Sequence, residues 1–392
     1  MATNNNNKAL NVPPLRFPEF NGEWEKCTIK DYGEVVTGNT PPTSNSEYYD
    51  NGSYLWASPA DLGISKNITE TKTKLSLSGF RKTRNIPKGS VLITCIGSTI
   101  GKMGMATETM SSNQQINSIV INDKSDSDFV YYAISRAFPR YLSEVGIQAV
   151  PILSKSNFEK LPNYTTCREE QDKIGYFLNL LDERIATQNK IIEDLKKLKS
   201  AIIEMEYTHK TKSNSHIGDF IEQTSKRNKN CAIQNVLSVS NRQGFIQQSE
   251  QFENRSVASD DTSNYKIVEK NDFAFNPARI NVGSIARLTT FDRGIVSPMY
   301  ICFRTKDTLF PEYLDYYFET KQFFTEIQKR LEGSVRQCLS FEGLCNIPLC
   351  IPTIEVQRQV GNQLSTLAQE IKLEIDFLEL LQRQKKFLLH QM

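Results

Sequence analysis

The sequence has few residues that could bind a metal ion and no hydrophobic run that could cross a membrane. Its eight cysteines include no pair separated by two residues, and only three histidines are available as partners. This scarcity disfavours a zinc site, and scattered thiols are typical of cytoplasmic proteins, where cysteines stay reduced. No apolar stretch approaches the roughly 18 residues of a transmembrane helix. Residues 1–11, which lack the apolar stretch of a signal peptide, are expected to form a disordered tail of a cytoplasmic protein.

Acidic residues are missing from three segments that contain lysine and arginine. Lys72–Gly104 has seven positive charges and no Asp or Glu, and Gln223–Phe245 and Asn276–Thr290 repeat the pattern on a smaller scale. Such clusters are expected in parts of a protein that face a polyanion. The alternative, that each cluster is only a solvated loop, accounts less well for their recurrence in both halves of the chain.

Motifs of a catalytic centre are missing as well. No Gly-rich fingerprint follows a strand in the way that binding of S-adenosylmethionine or a phosphate requires. Asn276-Pro277-Ala278-Arg279 resembles an amino-methylation motif but lacks its second proline and its stacking aromatic residue. The basic segments also have no paired carboxylates that could converge on a catalytic metal ion. The chain is therefore expected to be non-catalytic and to rely on partners for chemistry.

The chain contains an internal repeat whose two copies align without a gap. The first copy comprises Leu153, Ser154, Phe158, Leu161, Pro162, Gln171, Ile174, Gly175, Leu178, Leu181 and Ile185. The second comprises Leu339, Ser340, Leu344, Ile347, Pro348, Gln357, Val360, Gly361, Leu364, Leu367 and Ile371. The offset between them is constant and is nearly half the length of the chain. A long period that occurs only twice indicates a duplicated domain with its helix, because solenoid repeats are about 20 to 50 residues long.

Each copy ends in a long amphipathic helix. Apolar residues recur at alternating steps of three and four residues after Ile174 and again after Val360, which is typical of a coiled-coil seam. A helix over Arg168–Glu206 would be about 58 Å long at about 1.5 Å per residue. We predict an antiparallel pair of helices that separates two similar domains related by an approximate twofold axis. The predicted fold class is α+β.

The two globular domains share short strands but differ in their variable segments. Ile86–Ile93 and Ile100–Gly104 have counterparts in the second half at Val268–Ala274 and Val282–Ala286, whereas Gly38–Lys82 and Asn228–Tyr265 show little mutual likeness. We predict domains at residues 12–166 and 208–353, and helices at 167–207 and 354–392. Different variable faces on one scaffold imply different ligands.

Several ordered motifs resemble those of the DNA specificity subunits of type I restriction-modification systems. They are Val12–Phe20 with Trp24, Gly38–Pro42 with Tyr48–Trp56, Ile86–Gly89, Leu161-Pro162 before Glu170-Gln171, and Ile347–Leu349 before Val356-Gln357. The resemblance implies two target recognition domains held apart by an antiparallel coiled coil, each reading one half of a bipartite asymmetric DNA sequence. It also implies two modification (methyltransferase) subunits that carry S-adenosylmethionine and dock on the helices, and two restriction subunits that use ATP and Mg²⁺. The second copy lacks the Thr-Pro-Pro turn, which leaves its reading loop harder to place.

Amide, hydroxyl and guanidinium groups on loops are the side chains expected to read base edges, while lysines and further arginines contact phosphates. In the first domain the predicted base contacts are Thr40, Tyr48, Trp56, Ser98, Thr99, Asn113, Gln114 and Gln115, and the predicted phosphate contacts are Lys72, Lys74, Arg81, Lys82, Arg84 and Lys102. In the second domain the predicted base contacts are Asn241, Arg242, Gln243, Asn276, Arg279, Asn281, Ser284, Arg287 and Ser297, and the phosphate contacts are Lys226, Arg227 and Lys229. For Trp56 a place in the core is the commoner alternative.

Two other functions remain open from the residues alone. A protein-interaction scaffold with basic loops would bind acidic proteins and would show no steep fall of DNA affinity with salt. A stand-alone DNA methyltransferase or nuclease would be active without partners.

Overall fold

The computed structural model describes residues 11–145, 152–208, 215–241, 243–248, 261–333 and 337–392. Apart from Asn11, the predicted tail lies outside the described residues. The chain divides into two compact units. The first unit comprises Met1–Gln188 and Phe377–Met392, and the second comprises Asn189–Asp376.

The described part of the first unit contains three sheets. Its strands are β1 (Glu25–Thr28), β2 (Gly33–Thr37), β3 (Tyr54–Ala57), β4 (Asn67–Ile68), β5 (Thr73–Leu75), β6 (Asn85–Ile86), β7 (Val91–Thr94), β8 (Met103–Ala106), β9 (Met110–Ser112), β10 (Ile116–Ile121) and β11 (Pro162–Thr165). The strand orders are β1-β11, β2-β10-β7-β8-β4 and β5-β3-β9-β6. The helices are α1 (Leu77–Phe80), α2 (Ser127–Val145), α3 (Lys155–Glu159) and the start of α4 (Arg168–Thr208). The main core lies between the five-stranded sheet and α2, where Ile93 and Ile119 pack with Phe129 and Val130.

The described part of the second unit contains two sheets. Its strands are β12 (Ile221–Thr224), β13 (Val236–Ser240), β14 (Gly244–Gln247), β15 (Lys266–Glu269), β16 (Phe273–Phe275), β17 (Ile285–Arg287), β18 (Arg293–Val296) and β19 (Ile301–Thr305). The strand orders are β12-β19-β16-β17 and β14-β13-β18-β15. The helices are α5 (Ile217–Phe220), α6 (Pro311–Tyr317), α7 (Lys321–Gln328), α8 (Phe341–Cys345) and α9 (Ile354–Gln391).

The two units share one scaffold. The order β12-β19-β16-β17 corresponds to β2-β10-β7-β8, and β14-β13-β18-β15 corresponds to β5-β3-β9-β6. Both four-stranded sheets have a parallel central pair, β3 with β9 and β13 with β18. The segments Gly38–Lys82 and Asn228–Tyr265, which share little sequence, therefore contribute strands to equivalent sheets. The predicted duplication of a mixed α/β domain is confirmed.

The two predicted long helices are both present, as α4 of 41 residues and α9 of 38 residues. Their first residues, Arg168 and Ile354, occupy equivalent positions of the internal repeat. In the first unit, Ile174 and Leu178 of α4 share a core with Leu388 near the end of α9, and the Arg184 guanidinium lies 5.4 Å from the ring centroid of Phe377. Residue numbers rise along one helix as they fall along the other, so the helices are antiparallel in this unit. No helix in the described part of the chain is long and apolar enough to span a membrane.

Repeated glutamines fasten the first turn of each long helix to its domain. The Gln171 amide oxygen accepts a hydrogen bond from the Asp126 backbone N–H at 3.0 Å, and the Gln357 amide oxygen accepts one from Phe310 N–H at 2.8 Å. Each amide NH₂ donates to the backbone carbonyl five residues earlier in the chain. Both side chains are buried, so these bonds satisfy polar groups that water cannot reach.

Repeated glycines allow each domain to approach its long helix closely. A Cβ atom added at Gly175 would lie 2.3 Å from Asp126 Oδ1 and 2.9 Å from Phe129 N, and one added at Gly361 would lie 2.9 Å from Glu312 Cβ. The approach explains why glycine recurs in helices whose other residues favour helix formation.

The segment before β1 is attached to α4 by a buried ion pair. The Arg16 guanidinium donates two hydrogen bonds of 2.7 Å to the two carboxylate oxygens of Glu170. The Glu170 side chain is fully buried, and it also accepts a hydrogen bond from the Thr166 hydroxyl. The bidentate geometry is the strong form of an arginine–carboxylate contact.

Candidate nucleic-acid interface

In the first unit, three loops meet at the carboxyl ends of the parallel strands β3 and β9. Asn113 N–H, just after β9, donates to the carbonyl of Ala57 at the end of β3. The loop after β2 crosses the same place, because Asn39 N–H donates to the Ser112 carbonyl at 2.9 Å. The third loop joins β7 to β8, and a Cβ added at its Gly97 would lie 3.6 Å from Gln115 Nε2.

Most of the predicted base-reading residues of this domain lie on these three loops. The Thr40 hydroxyl donates to Gln114 Oε1 at 2.5 Å, while Gln114 and Ser98 are exposed and Thr99 and Gln115 are half-buried. Asn113 is buried, and its amide bonds to the backbone and side chain of Gln115, so it shapes the loop. The loops present amide and hydroxyl groups, which can donate to and accept from base edges.

Asn39 organises this site, although the sequence analysis did not select it. Its Oδ1 accepts a hydrogen bond from Arg84 N–H at 2.8 Å, and its Nδ2 donates to the Lys82 carbonyl at 2.9 Å. Its own carbonyl accepts the indole N–H of Trp56 at 3.1 Å. An asparagine that follows a strand and a glycine is a sequence signal for such a turn-forming role. Asn39 therefore places Lys82 and Arg84 beside the loop that carries Thr40.

The predicted phosphate contacts of the first domain border the four-stranded sheet and do not form a single cluster. Lys72 and Lys74 lie at the edge strand β5, and Lys82 and Arg84 precede the opposite edge strand β6. Lys74 pairs with Glu70 at 3.4 Å. Within the described residues, no carboxylate lies within ion-pairing distance of the exposed side chains that remain, which are those of Lys72, Arg81, Lys82, Arg84 and Lys102.

In the second unit, equivalent loops meet at the ends of β13 and β18. A Cβ added at Gly283, in the loop between β16 and β17, would lie 3.6 Å from Asn241 Cβ, which follows β13. Asn276 Nδ2, at the start of the same loop, lies 3.9 Å from Met299 Sδ, which follows β18. Gly283 has a φ of 88° and its counterpart Gly101 has a φ of 89°, so both loops close through a left-handed glycine.

The predicted base contacts of the second domain divide into exposed and buried residues. Asn241, Gln243, Arg279 and Asn281 are exposed, and Ser297 is half-buried. Asn276 and Ser284 are buried. The Asn276 side chain accepts from Ala278 N–H at 3.1 Å, and the Ser284 hydroxyl donates to the Val239 carbonyl at 3.2 Å. These two residues hold the loop that displays Arg279 and Asn281. Arg242 lies outside the described residues.

Three other predicted base contacts, Arg287, Trp56 and Tyr48, are not displayed on the loops that meet at the strand ends. The Arg287 side chain faces helix α6, where it pairs with Glu312 at 2.7 Å and Asp315 at 3.2 Å. Trp56 is 8% exposed and lies under the Asn39 loop, which is the core position noted as the commoner alternative. Tyr48 is half-buried, and its carbonyl accepts from Ser76 N–H near helix α1. The structure thus gives Trp56 and Arg287 internal partners, and a role for them at DNA stays a prediction.

The predicted phosphate contacts of the second domain lie near the edge strand β15. Lys226, Arg227 and Lys229 are exposed. The backbone of Arg227 forms an isolated antiparallel β-bridge with Lys266 of β15. The Arg227 guanidinium donates a hydrogen bond to Asn264 Oδ1 at 2.8 Å. Strand β15 corresponds to β6 of the first unit, next to Lys82 and Arg84. Basic residues therefore recur at equivalent sheet edges in the two units.

The described residues contain no group of three or more His, Cys, Asp or Glu side chains placed to hold a metal ion. Burial raises the pKa of the Cys95 thiol to about 12, and burial likewise raises the pKa of the Cys302 thiol to about 12. Both thiols are therefore protonated at neutral pH, which disfavours a role as nucleophile or metal ligand.

Sequence comparison identifies relatives for part of the chain. Residues 21–197 match the family model described as Type I restriction modification DNA specificity domain. The chain is 31% identical over 151 residues to the Type I restriction enzyme HindI specificity subunit of Haemophilus influenzae. This alignment covers 37% of this chain and 32% of that protein. It is 32% identical over 188 residues to the Type I restriction enzyme MjaIX specificity subunit of Methanocaldococcus jannaschii, covering 45% of this chain and 42% of that protein. The matched segments thus span less than half the length of these relatives.

Structural comparison extends the likeness of fold to nearly the whole chain. The type I restriction-modification S subunit of M. genitalium aligns with a TM-score of 0.62, covering 97% of this chain and 98% of that one. Sequence identity in this alignment is 16%, so the comparison establishes the fold alone. The second unit, which the family model covers only as far as residue 197, therefore shares this fold.

Proposed function

We propose that this protein is the sequence-specific DNA-binding specificity subunit of a type I restriction-modification complex, because residues 21–197 match the family model of the type I restriction modification DNA specificity domain. Each unit reads one half of a bipartite, asymmetric DNA target. The long helices set the number of unread base pairs between the two halves and dock the methyltransferase subunits.

One observation carries this proposal: the loops at the ends of the parallel strands are equivalent in the two units but differ in their residues. After β9 the first unit has Asn113-Gln114-Gln115, and after β18 the second has Ser297-Pro298-Met299. The loops after β7 and β16 have Thr99 and Asn281 at corresponding positions before the closing glycine. One scaffold with two unlike sets of side chains is what recognition of two unlike half-sites requires.

The side chains suit direct reading of the major groove. The amides of Gln114 and Gln115 can bond to adenine N6 and N7, and the Arg279 guanidinium can bond to guanine O6 and N7. The exposed lysines and arginines at the sheet edges would contact phosphates, which fixes the position of the protein but carries no sequence information.

The chain itself is proposed to have no catalytic activity and to bind no cofactor. By the family resemblance, two modification subunits would supply S-adenosylmethionine and the methyl transfer. Two restriction subunits would supply ATP-driven translocation and cleavage with Mg²⁺. The exposed apolar residues of the long helices, such as Tyr176 and Leu380, provide area for such docking.

Substitutions in the first domain should separate base reading from phosphate binding. Gln114→Ala should weaken binding of the preferred target by about 1–3 kcal/mol and relax the preference at one base pair of one half-site. Lys82→Ala should weaken binding of all sequences about equally. It should also lower the slope of log affinity against log salt concentration by about 1. Fluorescence anisotropy with matched and mismatched duplexes at several salt concentrations measures both effects.

The control is Lys196→Ala, which replaces an exposed lysine on α4. It should change neither the base preference nor the slope of log affinity against log salt concentration. A uniform loss of affinity for Gln114→Ala, with its base preference intact, would contradict a reading role.

Selection from a random DNA library by the purified complex tests the proposed function. The expected result is two enriched sequence blocks separated by a gap of fixed length, with affinity that falls steeply as salt rises. A protein-interaction scaffold predicts no enriched sequence. Methylation or cleavage by the isolated chain would instead favour a stand-alone enzyme.

A further inference from the structure

In the first unit, one buried tyrosine contacts both long helices. Tyr132, on α2, is 2% exposed, and its hydroxyl donates to Asp182 Oδ2 of α4 at 2.6 Å. The Lys385 ammonium of α9 lies 5.4 Å from the centroid of the Tyr132 ring, and it also pairs with Asp182. A residue of the globular domain thus joins the two helices at one point.

In the second unit, Tyr316 makes the equivalent contacts with the roles of the helices exchanged. Its hydroxyl donates to Ser365 Oγ of α9 at 3.2 Å. The Lys199 ammonium of α4 lies 5.0 Å from the centroid of the Tyr316 ring and pairs with Glu319 at 2.8 Å. Tyr316 is buried, with 7% of its surface exposed.

The positions of these residues follow the internal repeat. Lys199 and Lys385 are separated by the same offset as Gln171 and Gln357, so they are equivalent positions of the two long helices. The Asn179 side chain, whose counterpart at this offset is Ser365, accepts a hydrogen bond from Lys66 at 2.9 Å. Each domain therefore contacts both helices, and these two pairs of positions are equivalent, whereas Asp182, which accepts the Tyr132 hydroxyl, has Ala368 as its counterpart.

A second contact in each unit joins the sheets to the helix that carries the tyrosine. The Lys66 ammonium, just before β4, pairs with Asp128 of α2 at 2.5 Å and donates to the Tyr132 hydroxyl at 3.2 Å. Arg287, on β17, pairs with Glu312 of α6 at 2.7 Å. Asp128 and Glu312 each lie about one helical turn before the tyrosine of their helix. In each unit a cation on or beside a sheet is thus paired with the helix whose tyrosine contacts both long helices.

We propose that Tyr132 and Tyr316 are positioning residues that lock each recognition domain onto both long helices and so determine how strictly the complex selects the gap between half-sites. The inference rests on the proposed function. The tyrosines do not contact DNA in this account. They act through the orientation of the loops that do.

The chemistry of Tyr132 suits this role. Burial and the hydrogen bond to Asp182 raise the pKa of Tyr132 well above its usual range, so its hydroxyl stays protonated and can donate at any physiological pH. A hydrogen bond to a charged group is stronger than one between neutral groups. The Tyr132 contact should therefore constrain its domain more than the Tyr316 contact, whose acceptor is a neutral hydroxyl.

Tyr132→Phe in the full complex tests the inference, because it removes the hydroxyl and keeps the ring against Lys385. Binding is measured to DNA with the correct gap and with gaps one base pair longer or shorter. We expect the same half-site sequences, with discrimination against the wrong gaps reduced about tenfold, the factor that corresponds to about 1.4 kcal/mol. Tyr316→Phe should reduce discrimination less, and the double variant more than either.

Tyr32→Phe is the matched control, since this buried tyrosine donates its hydroxyl to the Tyr164 carbonyl of β11 at 2.7 Å. It should keep the gap discrimination of the wild type. Lys385→Gln is a second test that leaves both tyrosines in place, and it should also relax the gap. Unchanged discrimination in folded Tyr132→Phe and Lys385→Gln complexes would overturn the inference. A wild-type complex that selects no bipartite sequence would instead reject the proposed function.

Discussion

Exchanging residues 38–164 for the corresponding segment of a relative with another target should replace one half of the recognised DNA sequence and leave the other half unchanged. The exchanged segment carries all three loops that meet at the ends of β3 and β9, together with the whole four-stranded sheet and every strand of the five-stranded sheet except β2. Each base pair that the new domain does not accept should cost about 1–3 kcal/mol of binding free energy. A half-site of several base pairs would therefore lose its old preference completely. Mapping methylated bases in cells that express the hybrid measures the result.

The reciprocal exchange of residues 224–350, the corresponding segment of the second copy, is the matched experiment. It should replace the other half-site and no more. If either exchange altered both halves of the recognised sequence, or neither half, the result would contradict independent reading of one half-site by each unit.

Arg16→Ala should lower the free energy of unfolding by about 3–5 kcal/mol, the usual cost of removing one partner of a buried ion pair. The loss is large because the Glu170 carboxylate would remain buried at the start of α4 without its two hydrogen bonds from the guanidinium. Denaturant titration at pH 7 measures it. Adding Glu170→Gln should recover part of the stability, since a neutral amide is less costly to bury than a charge.

The effect of Arg16→Ala should depend on pH in a defined direction. Burial of Glu170 opposes ionisation, but the hydrogen bonds from Arg16 and Thr166 outweigh it, so the pKa of Glu170 lies below its usual range. Because the pKa is lower in the folded state, the stabilisation is fully present above the unfolded pKa of about 4.3 and is lost as the pH falls below it. The difference between wild type and variant should shrink at acid pH. A difference that stayed constant down to pH 3 would argue against the ion pair as its cause.

The scaffold was predictable from the sequence because its residues repeat. Gln171 and Gln357 make the same hydrogen bonds, and Gly175 and Gly361 allow the same close approach. A residue type that recurs at a fixed offset can be interpreted without knowing its neighbours. The two long helices were predictable for the same reason, since their apolar stripes recur with the period of a helix.

The details of the site were less predictable because they depend on contacts between segments far apart in sequence. Arg287 lies in a basic segment without acidic residues, yet its partners Glu312 and Asp315 follow much later in the chain, on α6. The variable segments also conceal their common sheet, because short strands tolerate many sequences once their neighbours fix the pairing. Asn39 was missed since its importance lies in bonds to Lys82 and Arg84, which are distant from it in the sequence.

The central claim, that the paired helices fix the gap between two half-sites, is tested most directly by lengthening both helices together. Seven residues with the same apolar pattern would be inserted after Gln188 of α4 and after Asp376 of α9, where the two units divide. Seven residues add about 10 Å of helix, or about three base pairs at about 3.4 Å each. Selection from a random DNA library should return the two original half-sites with a gap about three base pairs longer. The original half-sites at the original gap would contradict the claim.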